Sequence, residues 1–154
     1  MILAEESNYN LQLLHQQQGK GQFSFVMELL SKNAVCPKCS SLSTRKHSRY
    51  TRILKDVPLD DKEVHILLCS NKWFCDQSDC SARIFTERLP WLESYRRKTK
   101  RLEEKLTQLA FSMSCLQAEK ICQNLCMSVS HDALLSLIYR KEVVKSPSPF
   151  RRIG

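Results

Sequence analysis

Two short cysteine pairs constrain this chain more than any other feature. The first is Cys36-Pro37-Lys38-Cys39 and the second is Cys75-Asp76-Gln77-Ser78-Asp79-Cys80. Thiolates on the two arms of one tight turn can occupy one edge of a tetrahedron. Two such pairs supply the four soft ligands that zinc takes. Pro37 stiffens the first turn, whereas the wider second pair departs from the commonest knuckle spacing. The spacing therefore points to one Zn2+ held by Cys36, Cys39, Cys75 and Cys80. Two other readings stand beside it. Four buried free thiols are one, since cysteine packs as a small apolar residue. Disulfides are the other, and nothing in the chain points to the export that would favour them.

A length of 154 residues allows one domain or two small ones, and a hydrophobic fraction of 42% is enough for folded structure. The only glycines are Gly19, Gly21 and Gly154, so no glycine-rich phosphate loop lies between Lys20 and the C-terminus. A formal charge of +8 suits a polyanionic partner. Basic proteins also bind anionic membranes, so charge alone does not choose. The apolar runs Phe25-Val26-Met27 and His65-Ile66-Leu67-Leu68-Cys69 are far too short to span a bilayer. Glu5 and Glu6, with no long apolar run beside them, are not a signal-peptide pattern. A cytoplasmic location follows as the expectation, and eight cysteines in a reducing compartment argue for metal rather than cross-links.

Along the chain, residues 1–22 read as a polar, glutamine-rich leader, either a short helix or loose chain. Residues 23–90 read as a small zinc-binding β-domain. Phe23 to Leu30 is strand-like, and Val57-Pro58-Leu59-Asp60-Asp61 reads as a turn. Glu63 to Cys69 alternates with apolar residues on both sides, which predicts a strand covered on both faces. Such a core is small enough to need the metal.

Beyond Pro90 the period becomes helical, and residues 91–142 read as a helical domain. Leu102, Leu106, Leu109, Ala110 and Met113 share a first helix face. Ser114 is placed to cap a second helix, with Leu116, Ala118, Ile121, Cys122 and Leu125 inward. Ser130 is placed to cap a third, with Ala133, Leu134, Leu137 and Ile138 inward. Three short helices with a tight turn between the last two match a helix-turn-helix, although the turn lacks its frequent glycine. An ordinary three-helix cap or interaction bundle is the alternative. Residues 143–154 are linker-like. The expected fold is α+β: a zinc-bound β-domain followed by a three-helix helix-turn-helix domain.

Basic and aromatic residues supply the candidate DNA contacts. Arg45, Lys46, Arg49 and Arg52 surround Tyr50, which suits a nucleic acid because an aromatic ring can pack on sugar or base. They are equally a charged strand edge that blocks aggregation. Arg97, Lys98 and Arg101 belong to a second basic run, which is otherwise a solvated helix start. On the third helix Ser130, His131, Ser136, Tyr139 and Arg140 are candidates for groove contact. Asp132 beside them is unfavourable near phosphate but can accept from a cytosine amine. His47 is a weak candidate ligand, since four cysteines already complete a tetrahedron. Cys69 reads as core, and Cys115, Cys122 and Cys126 as buried thiols.

Several separated motifs carry a family resemblance. They are Cys36-Pro-Lys-Cys39, His47-Ser-Arg-Tyr-Thr-Arg52, Asp56-Val-Pro58, Phe74-Cys75, Cys80, Arg83-Ile-Phe-Thr-Glu-Arg88 and Thr99-Lys-Arg-Leu102. In this order they resemble the N-terminal part of the ISL-three family of insertion-sequence transposases, over roughly Phe25 to Gly154. The resemblance implies a zinc-binding domain, then a helix-turn-helix, then a ribonuclease-H-type catalytic domain with an acidic metal-binding triad. Arg151-Arg-Ile-Gly154 resembles the stretch that runs into the first catalytic aspartate, so residues 143–154 are expected to be a linker to a catalytic domain absent from this chain. Ser40 departs from the family, where a glycine often follows the knuckle.

The resulting expectation is a non-enzymatic, DNA-binding front end of a transposase. It would recognise the terminal inverted repeats of an insertion sequence as double-stranded DNA, with full-length transposase or a second copy as further partners and no membrane. A stand-alone zinc-dependent regulator or inhibitor of transposition is the alternative. A thiol redox enzyme is a third class. Cys36-Pro-Lys-Cys39 has redox-pair spacing, but no helix start lies there to lower a thiol pKa, and the second pair is left unexplained.

Overall fold

A computed structural model describes residues 10–141. The linker at 143–154, the Arg151-Gly154 motif and residues 1–9 of the 1–22 leader lie outside the described residues. The fold is mixed α and β. Among the described residues seven strands come first: β1 (Leu11–Gln18), β2 (Gln22–Leu29), β3 (Ala34–Val35), β4 (Leu42–Ser43), β5 (Lys46–Leu59), β6 (Lys62–Phe74) and β7 (Ile84–Thr86). Three helices follow: α1 (Lys100–Ser112), α2 (Cys115–Asn124) and α3 (His131–Arg140). The chain divides into two compact units between Leu102 and Glu103, so residues 91–102 lie with the strands.

In the first unit the main sheet runs β1-β2-β6-β5, with β7 also paired to β6. All pairings are antiparallel except β2 with β6, which are parallel with Gln22 opposite Glu63 and Glu28 opposite Cys69. The polar leader thus contains a strand rather than a helix. Its Gln16, Gln17 and Gln18 pair with Phe25, Ser24 and Phe23 as an exposed edge, where no apolar alternation is needed. Gly21, at φ +80, turns the chain between β1 and β2, a conformation that favours glycine. The β5–β6 hairpin closes on Asp60 and Asp61, at φ 47 and 54. Positive φ at both central residues is the type I′ geometry that matches strand twist, and aspartate tolerates it.

Strand β6 alternates buried and half-buried residues. Val64, Ile66 and Leu68 are buried with Phe25, Met27, Leu29 and Leu54, under Leu89 and Leu92. The other side, with His65, Leu67 and Cys69, is only half-buried, and Ile53 there is 58% exposed. The expected double coverage is therefore replaced by one closed face and one open face. Charge pairs occupy the open face: Glu63 lies 3.6 Å from Lys55 and 3.0 Å from His65. A second, separate cluster of Ala34, Cys36, Trp73, Cys75, Cys80 and Phe85 surrounds the cysteines. The sheet thus has a core of its own, beyond the metal-dependent one the sequence predicts.

The second basic run is not helical before Lys100. Residues 97–99 dock in extended form on the free edge of β5. Lys55 N–H donates to the Arg97 carbonyl (2.8 Å), and Thr99 N–H donates to the Lys55 carbonyl (3.0 Å). Thr99 then caps α1 by accepting from Leu102 N–H (3.4 Å), while its hydroxyl donates to buried Asp56 (2.6 Å).

In the second unit Ser114 and Ser130 cap α2 and α3 as the sequence predicts, accepting from Gln117 N–H and Ala133 N–H. α2 packs on α3. Ala118, Cys122, Leu134 and Leu137 are buried. Leu116, Ile121 and Leu125, expected inside, are 61%, 36% and 51% exposed, because ten-residue α2 turns only Ala118 and Cys122 fully inward. The helix ends in a Schellman motif. Met127 N–H donates to the Cys122 carbonyl (2.8 Å), Cys126 N–H donates to Gln123 (3.3 Å), and Cys126 sits at φ 55. Cys126 thus takes the left-handed place that a glycine often fills. No helix among the described residues is long and apolar enough to cross a membrane.

Candidate metal centre

The first cysteine pair lies on the turn between β3 and β4. Cys36 N–H donates to the Ser41 carbonyl, and Ser40 N–H donates back to the Cys36 carbonyl, both at 2.9 Å. Ser40 takes φ 59 to close this turn. The departure from glycine therefore leaves the knuckle intact, at the cost of a left-handed backbone on a residue with a Cβ. The second pair begins where β6 ends. Cys75 N–H donates to the Arg83 carbonyl (2.9 Å) and Cys80 N–H to Gln77 (3.2 Å), so the wider loop is folded back on itself.

These two turns bring the Sγ atoms of Cys36, Cys39, Cys75 and Cys80 within 4.8 Å of one another. Cys36 and Cys80 sulfurs are 3.9 Å apart, and those of Cys39 and Cys75 are 3.5 Å apart. Zinc–sulfur bonds of about 2.3 Å in a tetrahedron require sulfurs about 3.8 Å apart. The quartet thus fits zinc with only small closure, and its all-sulfur chemistry suits a structural, four-coordinate site with no open position.

The surroundings prepare these sulfurs for a cation. The Ser41 hydroxyl, 2.9 Å from Cys39, and the Ser41 backbone hold the Cys39 thiol down at about 6. At Cys80 the Ala82 N–H, 3.4 Å from the sulfur, favours the thiolate. Burial and the neighbouring Cys39, Cys75 and Cys36 sulfurs outweigh it and push that thiol up to about 12. Such mutual opposition is relieved when a dication shares the four sulfurs. Sequence reasoning missed Ser41 and Ala82; only the closed turns reveal them as outer-shell donors.

The remaining candidates are spread out. His47 packs edge-on against Phe74 (4.8 Å) and lies outside the quartet. Cys122 is buried, and burial raises its thiol pKa; Cys69, Cys115 and Cys126 are only partly buried. Arg45 pairs with Asp76 and lies 4.8 Å over the Phe74 ring. Lys46 lies 5.4 Å over Trp73, and Arg49 pairs with Glu28. Tyr50 and Arg52 alternate with these and share the side of β5 that carries Leu54. Arg97 is exposed, Lys98 sits at the β5 edge beside Lys55, and Arg101 is engaged by Asp56. On α3, Ser130 is occupied as a cap. The ring nitrogens of His131 lie 3.3 Å from Glu119 and 3.2 Å from Asp132. Ser136, Tyr139 and Arg140 are exposed; the Ser136 hydroxyl bonds its own helix at Asp132 O, and Arg140 lies 3.8 Å from Glu103.

Comparison with known proteins bears on this centre. A family model for the zinc-finger of transposase IS204/IS1001/IS1096/IS1165 matches residues 32–80. No curated protein and no solved structure matches the chain. The matched span starts just before β3 and ends on Cys80, so it contains the whole quartet. Residues 32–80 are thus similar to the zinc ribbon of ISL3-type transposases, and this segment holds Cys36, Cys39, Cys75 and Cys80.

Proposed function

We propose that this chain recognises DNA for a transposase, holding the terminal inverted repeats of an insertion sequence as duplex. The observation that carries the reading is the match of residues 32–80 to a transposase zinc-finger, together with the four sulfurs at zinc-binding distances. Zinc would be structural here. The quartet would hold it, and its chemistry would be to lock two turns together rather than to activate a substrate.

The second unit supports a helix-turn-helix reading. α2 and α3 pack together across a Schellman turn, and α3 exposes Asp132, Ser136, Tyr139 and Arg140 at helical spacing. Tyr139 is 81% exposed, which leaves its ring open to a groove. Ser136, Tyr139 and Arg140 are the proposed base-reading residues, with Ser130 and His131 at the helix start. Arg45, Lys46, Arg49, Arg97 and Lys98 are the proposed phosphate contacts of the first unit. Arg45 and Arg49 would have to leave Asp76 and Glu28. Arg45 and Asp76 are both exposed, and such a pair is worth only about 0–1 kcal/mol, so that exchange costs little; the Glu28 side chain is 15% exposed, so release of Arg49 costs more.

The test is binding of the zinc-loaded protein to duplexes carrying the element ends, compared with unrelated duplex over a range of salt. Affinity should fall steeply with salt, and replacing Arg45, Lys46 and Arg49 together should weaken both duplexes and flatten the salt slope. Replacing Ser136 and Tyr139 should instead reduce the preference for the ends. Equal binding to both duplexes, unaltered by either set of changes, would overturn the reading.

A further inference from the structure

Beside the zinc ribbon, within the first unit, lies a groove of about 550 Å³. The end of the sheet forms its floor with Tyr50, Arg52 and Lys72, Lys38 of the knuckle reaches it, and Tyr95 and Arg97 line the chain beyond β7. We propose that this groove takes one unpaired nucleotide of a DNA strand. Its phosphate would lie among Lys38, Arg52, Lys72 and Arg97, and its base against Tyr50 or Tyr95. The proposal rests on the DNA-recognition reading and names what that reading leaves open, which is the form of DNA this face receives.

Five observations carry it. The volume falls within the range of small-ligand sites. Its charged lining residues are mainly basic, with Glu87 and Glu93 as the acidic members, and Glu93 lies 3.2 Å from Lys100. Tyr50 is already a cation-facing ring, with Lys72 at 5.3 Å and Arg52 at 6.0 Å from its centroid, so phosphate-binding charge and a stacking face occur together. Tyr95 is 95% exposed and held at φ 60. A bulky residue in that left-handed conformation is strained, and such strain collects at ligand clamps. Here it holds a bare aromatic ring at the groove. Two lining side chains also carry unmet polar atoms: Arg52 Nε and Glu87 Oε2 have no hydrogen-bond partner among the described residues. An unpaired base offers both acceptors and donors on its edge. Duplex DNA keeps its base faces stacked inside, so it offers no base face for these rings to stack on.

The experiment uses the zinc-loaded full chain and three labelled DNAs of one sequence: single-stranded, blunt duplex, and duplex with a short single-stranded overhang. The single strand carries 2-aminopurine as a stacking reporter. The variants are Tyr95→Asn, which removes the ring and keeps a residue tolerant of positive φ, and Lys72→Gln. Zinc content and circular dichroism establish that each variant folds. The expected result is tighter binding to overhang than to blunt duplex and quenching of 2-aminopurine by the wild-type protein. Tyr95→Asn should weaken overhang and single-strand binding by about tenfold, with loss of quenching, while blunt-duplex affinity stays unchanged. Lys72→Gln should weaken the same two DNAs. Equal affinity for overhang and blunt duplex, with neither altered by Tyr95→Asn, would overturn this inference and leave the duplex reading standing. Failure of the wild-type protein to bind any of the three DNAs would overturn both.

Discussion

Arg101 grips Asp56 through two bonds: Nε donates to Oδ1 at 2.8 Å, and a terminal nitrogen donates to Oδ2. The Asp56 side chain is only 2% exposed, and Thr99 supplies a third donor at 2.6 Å. Residues that stand far apart in sequence therefore form one buried knot. It ties the start of α1 to β5, where Arg97 and Thr99 already pair with Lys55. Arg101 is a residue of the fold first, and any part in DNA contact comes second.

Removing Arg101 leaves a buried carboxylate with one side-chain donor. Arg101→Met should lower the stability of the first unit by about 3 kcal/mol. Arg101→Lys should recover little of that, because an ammonium cannot reproduce the two-pronged grip. Denaturant titration of the zinc-loaded protein measures both. A loss under about 0.5 kcal/mol for Arg101→Met, within the range of an ordinary surface change, would show that the pair is not structural.

Zinc content should follow the quartet alone. Cys80→Ser should lose stoichiometric metal, whereas Cys122→Ser, a buried thiol outside the quartet, should keep one zinc per chain. Because the sheet has its own apolar cluster, chelation should not melt the whole first unit. Hydrogen exchange should show amides of residues 36–41 and 75–83 losing protection while those around Phe25 and Ile66 retain it. Simultaneous loss in both regions would mean that the metal holds the sheet as well.

Zinc affinity should rise with pH. Protons and metal compete for the same sulfurs, and the metal-free state carries more protons, so raising pH favours the bound state. Cys39, held down at about 6, already enters as a thiolate above that pH. Cys80, pushed up to about 12, must shed its proton on binding throughout the neutral range. Competition with a chromophoric chelator between pH 6 and 8 measures the slope. A pH-independent affinity would contradict a thiolate site.

Ser40 is strained, and relief should be measurable. It closes the knuckle at φ 59. Ser40→Gly should stabilise the zinc-loaded protein by about 0.5–1 kcal/mol, the left-handed penalty less the added chain entropy. Ser40→Val should destabilise it by about 1–2 kcal/mol, since a β-branched residue tolerates this region worst. Thermal unfolding in excess zinc tests the order of the three proteins.

The metal centre was legible because its information is local: four cysteines and a turn-forming proline declare the ligands before any packing is known. The caps Ser114 and Ser130 were legible for the same reason. β1 was not, since an edge strand needs no alternation when Gln16, Gln17 and Gln18 face water and its partner supplies the pairing. The extended docking of Arg97-Lys98-Thr99 was hidden too, because the charge run has no helical or strand signature of its own. Arg52 and Tyr95 meet at one groove only through the tertiary path of the chain, which no spacing rule encodes.

The parallel pairing of β2 with β6 imposes an order on assembly. β5 and β6 are joined by the two-residue Asp60-Asp61 turn and can zip locally within microseconds. The second edge of β2 must wait for a strand whose first partner residue, Glu63 opposite Gln22, lies across a long crossover that holds the first cysteine pair. On a ribosome the β1–β2 hairpin is therefore made first while the second edge of β2 is filled late, and the early cysteine pair emerges long before its mate. A turn change such as Asp60→Ala should slow refolding, whereas Phe25→Leu should mainly speed unfolding. Stopped-flow refolding distinguishes them, and slowing by Phe25→Leu in full proportion to its destabilisation would reverse the order. Until β6 arrives, the nascent chain holds an apolar strand with one edge open beside two open thiols, and that interval is when it most needs protection from its neighbours.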